Sequence, residues 1–153
     1  MKKHAARKFA ISLMEDTPAV YLATVDEKGD PHIRALTNLR NKKQFPELSD
    51  FFRRQENPFL TYLTTFSTSE KAGHIRHHPR IALYFSRPEV FHGVMLSGIL
   101  KPAGNKNIRE ALWQKEWRAF WPNGPSDPRY RVYHFIPDGA KGWSGEEIFK
   151  FSL

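Results

Sequence analysis

The sequence predicts a mainly β, α+β fold, a single antiparallel barrel carrying short helices. Three observations predict it. Six or seven runs rich in β-branched and aromatic residues are separated by turn chemistry. The helical patterns between them are short, and no strand–helix–strand alternation suggests a parallel sheet. The 153 residues, 40% of them hydrophobic, suffice for one core and show no repeat, low-complexity tract or linker.

The elements follow in chain order. "MKKHAARKFAISLMED" places Ala6, Phe9, Ala10 and Leu13 on one face of an amphipathic helix over residues 3–15. It opens like a signal peptide, but Arg7, Lys8 and Ser12 break its apolar part and no small-residue cleavage site follows. "PAVYLATVD" (18–26) reads as a strand buried on both faces. "DEKGD" is a turn, and "PHIRALTNLR" (31–40) returns as the second arm of a hairpin. A helical turn follows Pro46, and "FLTYLTTFS" (59–67) is the third strand. A two-turn helix begins near Ser69 and stops at His78-Pro79. "RIALYFS" (80–86) is a fourth strand, and residues 89–104 form one long bent strand or two strands kinked at Gly98. Asn107 and Glu110 have capping-box spacing for a helix through "IREALWQKEWRAFW". "RYRVYHFIP", "AKGWSG" and "EEIFKFSL" supply the last strands.

Composition narrows the function. Without cysteine there is neither a disulfide nor a thiolate metal site, and a reducing cytoplasmic setting fits. The net charge of +8 favours anionic ligands, but the basic residues are scattered from Lys2 to Lys150 and form no stripe. No apolar run reaches the length of a membrane span. Nucleic-acid binding is disfavoured: only "RYRVYHF" interleaves aromatic and basic residues, and a half-buried strand explains that alternation equally well. No G-x-S-x-G marks a hydrolase nucleophile. His74, His77 and His78 share a short helix, with Glu70, His74 and His78 at i, i+4 and i+8. Lacking a second carboxylate cluster, they are expected to form a solvated basic helix and no metal site.

"TTFSTSEKAGHIRHHP" (64–79) holds the chemistry. Ser67-x-x-Glu70 has the form of a capping box. The same helix start offers free amides, hydroxyls and Lys71 to a phosphate. Arg34 tips the balance toward a ligand. It lies mid-strand between Ile33 and Ala35, where an unpaired guanidinium is costly to bury. Arg34 and the hydroxyl-rich helix start would clamp a dianion from two sides.

In order and spacing, "VYLATVDEKGDPHIRAL", "LTYLTTFSTSEKAGHIRHHPRIALYF" and "VMLSGILKP" resemble the pyridoxamine 5′-phosphate oxidase-like, FMN-binding split-barrel superfamily. The resemblance runs from about Ala19 to Gly145 and is nearer to the general stress protein branch. It implies a six-stranded antiparallel split β-barrel with short flanking helices, dimerising with two FMN at the subunit interface. It also implies roles for particular residues. Arg34 contacts phosphate, while the backbone of Ala35, Leu36 and Thr37 borders the flavin ring. Thr64, Thr65, Ser69 and Lys71 face the phosphate, and Trp143 brings an indole to the flavin.

Three departures qualify the resemblance. Glu70 stands where many relatives carry a basic residue, so its carboxylate must turn away from a dianion, back into its capping box. Gly93 replaces a flavin-facing glutamine, and the substrate-phosphate residues of the true oxidases are missing. The expectation is therefore an FMN-dependent oxidoreductase on a small molecule, with NAD(P)H as electron donor, that does not form pyridoxal phosphate. No residue is assigned a catalytic role. The deazaflavin F420 is the alternative cofactor, and a flavin carrier or sensor the alternative activity.

Overall fold

The computed structural model describes residues 1–153. Four helices and seven strands run in the order α1 (Lys3–Asp16), β1 (Ala19–Val25), β2 (Pro31–Thr37), α2 (Pro46–Arg53), β3 (Thr61–Phe66), α3 (Glu70–His77), β4 (Arg80–Arg87), β5 (His92–Pro102), α4 (Lys106–Leu112), β6 (Tyr130–Ser144), β7 (Glu147–Ser152). All neighbouring strands are antiparallel, in the order β2-β1-β4-β5-β6-β3, with β7 added to β6. The sheet curls into a split barrel whose two ends, β2 and β3, approach without a hydrogen-bonded ladder. No helix is long and apolar enough to cross a membrane.

Two cores hold the molecule. The larger fills the barrel with Leu22, Phe59, Leu83, Phe85, Leu96 and Phe135 and is closed by Ala6, Ala10, Leu13 and Met14 of α1. The smaller lies under α2 and α4, around Leu39, Phe52, Tyr62, Leu112, Trp121 and Tyr130. Buried Asn38 joins the end of β2 to α1: its amide donates to the carbonyls of Met14 and Thr17, each at 2.7 Å. Burial of these apolar side chains, at about 1.5–3 kcal/mol each, outweighs the weak helix propensity of segments this short.

Four expectations are corrected. β1 is buried on one face only, because it pairs with the edge strand β2 and Tyr21 on the outer side remains exposed. The segments ending at Pro137 and starting at Ala140 are one strand, β6; it passes through a bulge at Asp138, where the register against Ser97 and Gly98 shifts. Arg80 clamps that bulge with two bonds to Asp138, at 2.6 and 3.0 Å. α4 starts earlier than expected, since Asn105 rather than Asn107 caps it, and it ends at Leu112. Trp113, Trp117 and Trp121 are drawn into the smaller core around Tyr130, which leaves only a 3₁₀ turn at Lys115–Ala119. Finally, Ser67 does not cap α3: Ser69 stands at the N-cap, and the Ser67 hydroxyl donates to Pro128 O at 3.2 Å.

Two predictions follow from this framework. A Cβ on Gly98 would meet Ile136 O at 2.2 Å and Pro137 Cα at 2.8 Å, both backbone atoms. Gly98→Ala is therefore expected to cost about 1–3 kcal/mol in urea unfolding. His134 stacks on Tyr62 with ring centroids 5.1 Å apart. Burial, helped by the charge of Lys101, pushes its pKa below the ordinary 6.5. As pH falls below 6.5 the unfolded chain takes up a proton that the native imidazole resists, so stability is lost on acidification. His134→Phe is expected to flatten the decline in thermal midpoint between about pH 7 and 5.

Candidate functional site

The hairpin register builds one side of the site. Opposed residues share a face, so the pairs Thr24–His32 and Leu22–Arg34 put Thr24, His32 and Arg34 together on the inner side of β1 and β2. Arg34 Nη1 donates to Thr24 Oγ1 at 2.7 Å and to Leu22 O at 3.2 Å. Both bonds use one terminal nitrogen, which leaves the rest of the guanidinium fork available.

The other side comes from β3 and the start of α3. Thr65 is buried, and its Oγ1 accepts from Lys71 Nζ at 2.9 Å and lies 3.5 Å from Ser69 Oγ. The curl of the sheet brings this group to Arg34, although β2 and β3 stand at opposite ends of the strand order. Burial and then the neighbouring Arg34 charge lower the pKa of Lys71, and Glu70 opposes both. Burial likewise lowers that of Arg34, again opposed by Glu70. A bound dianion would relieve the repulsion between these two partly desolvated cations.

Glu70 turns away from this site, but not into a capping box. Its Oε1 lies 3.3 Å from His74 Nε2 and 3.5 Å from His32 Nδ1. His74 is buried, with Nδ1 at 2.9 Å from Thr24 Oγ1. His32 Nε2 meets Asp26 Oδ2 at 2.9 Å, and the Asp26 carboxyl is held down at about 2, first by that bond and then by the Asp30 amide.

The model of proteins described as pyridoxamine 5′-phosphate oxidase like matches residues 53–152. The chain belongs to the pyridoxamine 5′-phosphate oxidase-like family. Solved structures share the fold. One is a Clostridium acetobutylicum protein related to general stress protein 26 of B. subtilis, at 20% identity and TM-score 0.72 over 98% of this chain and 93% of that one. General stress protein 26 of Bacillus anthracis matches at 15% identity and TM-score 0.70, over 95% and 98%. A heme binding protein from Mycobacterium smegmatis matches at 16% identity and TM-score 0.68, over 96% of this chain and 57% of that one. No curated protein matches.

Within this family fold, the residues singled out from sequence separate into three groups. Arg34, Thr65, Ser69 and Lys71 converge as described. Thr37 and Thr64 line a neighbouring hollow of about 210 Å³ with Trp117, Phe120 and Trp121. Leu36 packs against the barrel core, whereas Ala35 and Trp143 lie elsewhere. Ala35 is on the exposed outer face of β2, opposite Tyr21. Trp143 packs on Tyr84 at 5.6 Å, and both cover Gly93, where a Cβ would meet them at 2.8 and 2.4 Å. That crowding accounts for the glycine at this position. Sequence reading missed Thr24, His32 and Asp26. The hairpin was recognisable, and pairing its arms across "DEKGD" would have set Thr24 opposite His32. His78, by contrast, is an exposed C-cap outside α3, and Tyr130, Tyr133 and Phe135 of "RYRVYHF" are buried, so they offer no stacking surface.

Inorganic phosphate is expected to raise the thermal midpoint of the wild-type protein at constant ionic strength, by occupying this site in the native state only. Lys71→Ala should abolish the shift in the same scan.

Proposed function

We propose that the protein is a cytoplasmic, homodimeric flavoprotein that binds FMN noncovalently and acts as an oxidoreductase on a small organic molecule. The carrying observation is that Lys71, which donates to Thr65 beside Ser69, stands close enough to Arg34 for that charge to lower its pKa, both cations being partly desolvated. This donor set suits a phosphate monoester dianion, and family membership makes a flavin phosphate the natural choice. Thr37, Thr64 and the aromatic wall of Trp117, Phe120 and Trp121 offer an adjoining surface for a planar ring.

That hollow, about 210 Å³, is below the roughly 300–1,000 Å³ of small-molecule sites, so one protomer supplies only part of it. A second copy would complete it. The outer face carrying Tyr21, Ile33, Tyr84 and Trp143 is apolar and partly exposed in the single chain, as a dimer surface should be. In that arrangement Trp143 would meet the partner's flavin rather than that of its own protomer.

Bound flavin supplies two-electron redox chemistry; the chain's residues bind and orient it and tune its surroundings. Arg34 and Lys71 hold the phosphate, Thr24 fixes the Arg34 fork, and Thr65 fixes Lys71. A reduced nicotinamide is the proposed electron source.

The purified protein should show flavin absorption bands and release FMN on denaturation. Arg34→Ala with Lys71→Ala should weaken FMN binding by at least about 100-fold, from the loss of two charge-assisted contacts, and leave the circular dichroism spectrum unchanged. Protein that cannot be reconstituted with FMN refutes the reading; uptake of F420 instead moves the cofactor assignment, and a Soret band would point to haem, the ligand named for the mycobacterial relative. Reduction of the bound flavin by NADH or NADPH, followed by reoxidation by a candidate substrate, separates an enzyme from a carrier or sensor.

A further inference from the structure

The cluster of His32, Glu70 and His74 lies beside Arg34 and Lys71 and is not among the residues proposed to hold a flavin phosphate. Its ligand-bearing atoms, His32 Nδ1, His74 Nε2 and Glu70 Oε1, all lie within 4.8 Å of one another. The two nitrogens stand 3.5 and 3.3 Å from the same carboxylate oxygen. A tetrahedral zinc ion with bonds of about 2.0–2.1 Å has its ligand atoms about 3.3 Å apart, so both distances already match the edge of such a site. The remaining edge, between the two nitrogens, is no longer than 4.8 Å.

The nitrogens facing away from the centre are also engaged. Ionised Asp26 accepts only, so His32 Nε2 carries the hydrogen in their 2.9 Å contact and Nδ1 presents its lone pair inward. His74 Nδ1 contacts Thr24 Oγ1 at 2.9 Å; when it donates there, Nε2 presents a lone pair to the same centre. Carboxylate and hydroxyl acceptors behind two histidines are the usual means of fixing ring orientation in a metal site. His74 is held further by burial, its side chain 9% exposed. The nearby charge of Arg34 opposes a cation, whereas the carboxylates of Glu70 and Asp26 favour one.

We propose that His32, His74 and Glu70 form a binding site for a divalent transition metal of the zinc type, with Asp26 and Thr24 as positioning residues. Glu70 and His74 also line an open hollow of about 420 Å³ with Asp26, Lys28 and Asp30, so the fourth coordination position is open to water or a small ligand. The ion would neutralise Glu70, the carboxylate whose charge reaches Arg34 and Lys71. Metal binding there requires no bound flavin.

The test uses the untagged full chain, stripped with a chelator and titrated with Co²⁺ and Zn²⁺. Expected are one ion per chain, Co²⁺ visible bands of four- or five-coordinate strength, and displacement of Co²⁺ by Zn²⁺. Glu70→Ala, at an exposed position that spares the fold, should weaken Zn²⁺ binding by more than about 100-fold, and Asp26→Asn by about 10–100-fold. The double variant His77→Ala, His78→Ala should bind as the wild type does. Failure to bind one equivalent, full affinity in Glu70→Ala, or loss of binding in the His77/His78 variant would overturn the proposal. None of these readouts involves flavin, so they are separate from the FMN test.

Discussion

A single buried hydroxyl joins the two polar clusters of this molecule. Thr24 Oγ1 lies 2.7 Å from Arg34 Nη1 and 2.9 Å from His74 Nδ1, and so links β1, β2 and α3. An arginine on an edge strand beside a barrel core would otherwise swing to solvent, since a guanidinium loses its hydration on burial. Thr24 and the Leu22 carbonyl hold it by one nitrogen and leave the rest of the fork outward. The same hydroxyl fixes the ring of His74 and hence which nitrogen meets Glu70. The orientation of the Arg34 fork and that of the His74 ring both depend on it.

The electrostatics of the region follow from that geometry. Arg34 and Lys71 repel each other in a partly desolvated setting, and the fold tolerates this because Glu70 lies close enough to offset part of the repulsion. A carboxylate lodged among the cations would compete with a phosphate. Held against His32 and His74, it lies near enough to screen the cations without bonding to the hydroxyls of Thr65 or Ser69. The residue least compatible with an anion site thus becomes the bridge to a second cluster.

The outer face of the barrel answers to a different constraint. Tyr84 and Trp143 lie over Gly93, filling the space a side chain would take, and with Tyr21 they form an aromatic row on the convex side. The bulge at Asp138, clamped by Arg80, bends β6 so that its first half pairs with β3 and its second with β7. One long strand thereby carries Tyr130 into the smaller core and Trp143 to the outer face.

The strands, the hairpin, the N-terminal helix and the convergence of Arg34 with the start of α3 were all legible in the sequence. They depend on local periodicity, on turn residues and on the cost of an unpaired buried arginine, each readable from a few neighbouring positions. The helix break at Trp113 and the continuity of β6 through Pro137 were not, because a second aromatic core and a bulge clamp drawn from a distant strand decide them. The direction of Glu70 belongs with these. Its own segment spelled a capping box and set His74 one turn away, but only the hairpin register brought up His32, 38 residues away in the chain, as the second partner. By itself the sequence determined the class of fold and the two cations; the tertiary structure decided which groups those cations meet, because contacts between distant elements are set by the curl of the sheet rather than by any local pattern.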